Sequence, residues 1–321
     1  MNLYVHTDCK VVSEIAQLIK LIDYVTRYEW DTFRYPSQYI RIKKDNWNKL
    51  YHLWLTPLEA EEEEITLPTE KRSKFARWKG KFIKNSEPQE VVRETTNELP
   101  ETEAALKQYF LDRLLNFQFK WATSTVTDQS MMNNRYQSDP TLKYFLQRFP
   151  DTFLLMYYPV FSIKKTPIDA EIIFISPIGI EIIYIIEEPP SSVIMADGGR
   201  TWTVETNHQQ TKMLSPLIAL KRTEQIVKSI LASHEINFSV QKTVLSRTNP
   251  IVFSTAPYNT KIIDKNAYKN WFLAKRKLAS PLKSIQLKAA EALLQHCETT
   301  SVKRAEWEED ANPFKIVGEE S

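Results

Sequence analysis

The chain has 321 residues, with 42 Lys and Arg against 40 Asp and Glu, and a formal net charge of +2. This length can bury a sizeable core and holds two domains, or one domain with extensions. Near-neutrality supplies no global field for nucleic acid or membrane, so any electrostatic partner must meet a local patch. The 5 glycines include no phosphate loop or dinucleotide fingerprint. The two cysteines, Cys9 and Cys297, lack a CxxC or a nearby His pair, which argues against a disulfide framework or a structural zinc site. No basic-then-apolar leader pattern opens the sequence, and no run reaches the roughly 18 uncharged apolar residues of a membrane span. The expectation is a reduced, soluble, cytoplasmic protein without membrane contact.

In chain order, Val11, Val12, Ile15, Leu18, Ile19 and Ile22 recur at three- and four-residue spacing and predict a helix from about residue 10. Tyr35-Pro36-Ser37 breaks it. A second amphipathic piece from Gln38 to Leu55 carries Trp47, Leu50, Tyr51 and Trp54, a surface that must dock on the rest of the chain. Residues 56–100 read as a charged linker, with acidic Glu59 and Glu61–Glu64 followed by a basic run and punctuated by prolines. A helix follows Pro100, with Leu106, Phe110, Leu114 and Phe117 on one face, and fades near Thr123–Gln129. These features predict a helical N-terminal region over 1–130, with a domain boundary near 130–138.

From 139 the pattern is mixed. Asp139-Pro140 starts a short helix; strands are predicted near 152–164, 168–176 and 180–187, and a hairpin over 193–205 turns at Asp197-Gly198-Gly199. A helix over 214–233 is opened by Ser215-Pro216. Strands at 238–246 and 250–254 and helices at 264–277 and 282–297 complete a domain over 139–300, ahead of an acidic tail at 301–321. The fold class is α/β: a mixed central β-sheet flanked by helices, with a helical N-terminal extension.

This order, with Ile168-Asp169, Pro177-Ile178-Gly179-Ile180, Gly199 to Trp202 and Ser215-Pro216, resembles the nuclease-related domain (NERD). That domain is a branch of the restriction-endonuclease-like superfamily, and the resemblance covers roughly residues 140–275. It implies a nuclease fold in which an Asp and the acid of a Glu-x-Lys strand hold Mg²⁺ or Mn²⁺, while the lysine helps activate water. In this chain the Glu-x-Lys slot falls on Tyr184-Ile185-Ile186, Ser215 stands in place of an Asn, and Ala219 in place of a Gln. Asp169 alone remains as a metal-ligand candidate. The expectation is a catalytically degenerate protein without a cofactor, acting as a nucleic-acid-associated binding or regulatory factor. One alternative is a metal-dependent nuclease with a migrated site built on Asp169, Glu171 and Glu181. Another is a protein-interaction module whose N-terminal helices clasp a partner or a second copy.

DNA or RNA contact is assigned to a stretch where cations alternate with aromatics: Lys71, Arg72, Lys74, Arg77, Trp78, Lys79 and Lys81, with Phe75 and Phe82 between them. A second basic-aromatic face, Arg34 to Trp47, reads as a docking surface. The five histidines are scattered and none falls in a ligand spacing; no GxSxG or Ser-Lys pair supports nucleophilic hydrolysis.

Overall fold

The computed structural model describes residues 15–55, 99–253 and 255–304. The chain opens with β1 (Gln17–Leu21), α1 (Tyr35–Leu55), α2 (Glu103–Thr123), β2 (Asp128–Gln129) and α3 (Pro140–Arg148). Five strands follow: β3 (Leu154–Tyr157), β4 (Val160–Ile163), β5 (Thr166–Asp169), β6 (Ile172–Ser176) and β7 (Gly179–Ile185). Next come β8 (Val193–Ala196), β9 (Thr201–Thr206), β10 (Gln209–Leu214) and α4 (Pro216–Ser233). The last elements are β11 (Val240–Leu245), β12 (Ile251–Phe253), β13 (Thr260–Ile263), α5 (Lys265–Arg276), α6 (Ser284–Leu294) and β14 (Val302–Lys303).

Six strands make the central sheet in the order β1-β3-β6-β7-β11-β13. β3, β6 and β7 are antiparallel neighbours, whereas β1, β11 and β13 each join their neighbour in parallel. A smaller sheet, β10-β9-β8-β12, stands apart. The β-branched runs of β6 and β7 are buried on both faces, as expected for strands covered by helices on either side. Ile173, Ile175, Ile180, Ile182 and Val244 face the core shared with α4 and α6. Ile172, Phe174, Ile183 and Leu245 face a second core with α3 and the Trp271 of α5. The β6–β7 turn needs Gly179: its φ is +156°, and a Cβ would stand 3.0 Å from the Ser239 carbonyl oxygen.

The N-terminal region differs from its predicted form. Residues 17–21 are a strand paired with β3, not a helix, and they complete the sheet instead of extending from it. Ile15 and Ile19 enter one core while Ala16, Leu18 and Leu21 enter the other, so the strand is apolar on both sides and its period is masked. Its polar residues are satisfied internally. The Gln17 amide donates to the Asp151 carbonyl at 2.7 Å and the Pro36 carbonyl at 3.2 Å. The Lys20 ammonium meets Glu29 at 2.7 Å. The boundary near 130–138 therefore separates no cores: α2 gives Leu106, Phe110 and Trp121 to one and Leu115 and Phe119 to the other. Pro36 opens α1 instead of ending a helix, because a proline in the first turn forfeits no helical hydrogen bond.

The aromatic surface of α1 is covered as its composition requires. Trp47 meets Phe110 edge-on at 5.3 Å, Tyr39 stacks on Phe117 at 6.3 Å, and the Trp54 indole donates to the Pro100 carbonyl at 2.7 Å. Lys43, from the face read as a docking surface, is buried in an ion pair with Asp151. Strands β10 and β13 were not anticipated: β10 is a largely exposed edge strand and β13 a short, half-buried one, and neither shows a clear alternation. Among the described residues, no helix is long and apolar enough to cross a membrane.

Candidate functional site

The β4–β5 hairpin delivers the chain to the start of β6, where Asp169, Ala170 and Glu171 emerge beside α4. Asp169 closes β5 opposite Val160 and is exposed; the Ala170 N–H donates to the Pro159 carbonyl at 3.0 Å. The Glu171 N–H donates to the Thr223 hydroxyl of α4 at 3.1 Å. The pairing of Ile172 with Ile183 continues outward to set Glu171 across from Tyr184 on β7. Tyr158 stands nearby in left-handed backbone, φ +47°, with its ring edge-on to Tyr157 at 4.8 Å. Tyr157 in turn donates to Asp139 at 2.7 Å, and that same carboxylate caps α3 through the Thr141 and Leu142 N–H groups. Arg222 projects from the exposed side of α4.

These groups act on one another. Burial pushes the Glu171 carboxyl above the usual carboxylate range; the Arg222 guanidinium pulls it down and Asp169 pushes it further up. Burial, followed by the Glu171 charge, raises the phenols of Tyr158 and Tyr184, so both rings remain protonated donors at neutral pH. The arrangement gathers a carboxyl raised by burial, two neutral phenols and one guanidinium at the start of β6. It is suited to holding a polar or anionic group by hydrogen bonds. Its donors do not fit a Mg²⁺ or Mn²⁺ ion, which requires several hard oxygens converging on one point. One of the two carboxylates is exposed, burial disfavours the charge of the other, and the neighbouring phenols keep their protons.

Glu181 belongs to a different place. It lies three residues from Tyr184 along β7, about 10 Å away and on the opposite face of the sheet. Its carboxylate accepts from the Thr243 hydroxyl at 2.5 Å and the Trp271 indole at 3.1 Å, and pairs with Lys275 at 2.5 Å. The structure thus brings Asp169 and Glu171 together and leaves Glu181 out, locked beneath α5. Among the described residues, no three His, Cys, Asp or Glu side chains group as metal ligands.

Other charged candidates are tied up in the scaffold. Glu187 forms a two-pronged pair with Arg247, whose guanidinium covers the Tyr144 ring at 4.4 Å. Burial pushes the Cys297 thiol up to about 12, which removes it as a thiolate nucleophile near neutrality. The basic-aromatic stretch from Lys71 to Lys81, Trp78 included, lies outside the described residues. Sequence reasoning missed Tyr158, Arg222 and Thr223. The Tyr-Tyr-Pro at 157–159 was the available signal for the first, and the other two had none. No family profile, no curated protein and no solved structure matches the chain.

Proposed function

We propose that this chain is a catalytically silent relative of the nuclease-related domain, built on a restriction-endonuclease-like core, that works as a nucleic-acid-associated binding or regulatory factor. The order α3, β3, β6, β7, α4, β11 supports the core, with β6 and β7 antiparallel and β11 parallel to β7. The observation that carries the silent reading is Tyr184. It stands in the slot where the resemblance calls for the acid that would join Asp169 in holding a metal, and it lies across the strand pair from Glu171. Ile186 follows, 3% exposed and part of the core, where the lysine would stand. A phenol whose proton is held by burial and an isobutyl-sized hydrocarbon supply neither a metal ligand nor a cation for the scissile phosphate.

The test is incubation of the full chain with supercoiled plasmid, single-stranded DNA and RNA in Mg²⁺ or Mn²⁺, alongside a retention assay on the same nucleic acids. The expected result is retention without cutting. Cleavage abolished by Asp169→Asn or Glu171→Gln would overturn the silent reading, and failure to retain any nucleic acid would overturn the association.

A further inference from the structure

Helix α5 carries a concentration of positive charge that the fold leaves outside. From Lys261 to Lys277 there are six cations (Lys261, Lys265, Lys269, Lys275, Arg276 and Lys277) and a single carboxylate, Asp264. That carboxylate is engaged as the helix cap, accepting from the Asn266 and Ala267 N–H groups at 3.0 Å each. Lys275 turns inward to Glu181, and Arg276 lies over the Phe272 ring at 5.4 Å. Lys261, Lys265, Lys269 and Lys277 are exposed, and no ion pair to any of them is found among the described residues.

The helical repeat places Lys265, Lys269 and Arg276 within one narrow stripe, since residues 4 and 11 apart return to nearly the same angle. The stripe is about 16 Å long at about 1.5 Å per residue. Exposed Asn266 and Asn270 run beside it as neutral donors. The helix is fixed before any partner arrives: Asp264 caps it, Trp271 is sunk in the core, and the Glu181–Lys275 pair pins its far end. A rigid single-sign ridge with amide donors matches a polyanion whose charges repeat along a line. It matches a lipid surface less well, because Leu273, 39% exposed, is the one exposed large apolar side chain of the helix, and the half-buried Phe272 ring lies under Arg276.

We propose that the outer face of α5, with Lys261 of β13, is a docking surface for the phosphate backbone of a nucleic acid. This rests on the nucleic-acid reading above and names its contact. The test is fluorescence anisotropy of the full chain with labelled duplex DNA, single-stranded DNA and RNA over a salt series, arms that separate the three sources of the same phosphate chemistry. The expected result is wild-type binding to at least one, and a loss of about tenfold or more in a Lys265→Glu/Lys269→Glu/Lys277→Glu variant. For duplex DNA the log–log salt slope should fall by about 2–3 for three lost contacts. Reversal of Arg200 and Lys212 on the smaller sheet should leave binding unchanged. A triple Lys→Gln variant at the same positions keeps the test decisive if charge reversal impairs folding. Wild-type binding with unaltered affinity and slope in both triple variants overturns the α5 surface and leaves the nucleic-acid reading standing. Wild-type failure on all three nucleic acids, with retention by anionic vesicles or an acidic peptide, overturns both.

Discussion

Glu171 and Glu181 lie on neighbouring strands of one sheet, and their surroundings assign them opposite roles. Glu181 has a partner for each oxygen: a hydroxyl and an indole on one, an ammonium on the other. Glu171 has no such set; its backbone is tied to Thr223 while its carboxyl is left beside Asp169 and pushed up by burial. The first carboxylate holds a helix to a sheet. The second is a perturbed, half-buried group at the start of β6, the kind of feature that marks a candidate binding or reacting site. Burial of an acid does not by itself point to function; what decides is whether the fold has already matched its charge.

Three variants sharpen or break this contrast. The largest effect is expected from Glu181→Gln. It leaves the Lys275 ammonium facing a neutral amide under α5, and unfolding in urea should show a loss of about 3 kcal/mol with little change in slope. An unchanged midpoint would mean the pair is not holding the helix. An intermediate effect is expected from the double change Glu181→Gln/Lys275→Met, which keeps an acceptor for Thr243 and Trp271. Removing both charges together should recover much of that loss, giving a positive coupling between the two sites in a double-mutant cycle with the single variants.

The smallest effect is expected from Glu171→Gln, and its sign depends on pH. The folded carboxyl binds its proton more tightly than the unfolded one, so the native state holds the extra proton between the two pKa values. Wild-type stability is therefore fullest below the unfolded pKa and declines as pH rises through the folded one. The Gln variant lacks this decline. Its urea midpoint should match or exceed the wild-type value at about pH 7 and lose that advantage at about pH 4. A variant less stable than wild type at both pH values would show that the carboxyl is matched by an ion pair after all.

The C-terminal half of the fold was legible because its elements carry local marks. The β-branched runs around Gly179, the Ser215-Pro216 opening of α4 and the Asp139 cap of α3 all fall where the sequence places them. β1 was misread because a strand buried on both faces has no polar side, and its spacing of apolar residues fits a helix equally well. At the candidate site, Asp169 and Glu171 were singled out by their types and spacing, and Tyr184 through the resemblance alone. Arg222 and Thr223 come from a helix some fifty residues further along, so their approach depends on how α4 crosses the sheet. No local pattern encodes that crossing. Glu181 was grouped with the other two acids because strand parity was applied within β6 and not carried across the turn into β7.

The pairing of β1 with β3 has a consequence for how the molecule is made. Gln17 reaches Asp151 across 134 positions, so β1 has no partner during synthesis until its neighbour β3 has been made. Until then an apolar ribbon with open hydrogen-bonding edges is offered to solvent or to a chaperone. Truncation from the front would strip the mature sheet of this border and bare β3 in the same way, turning a trimmed protein into one prone to stack on itself.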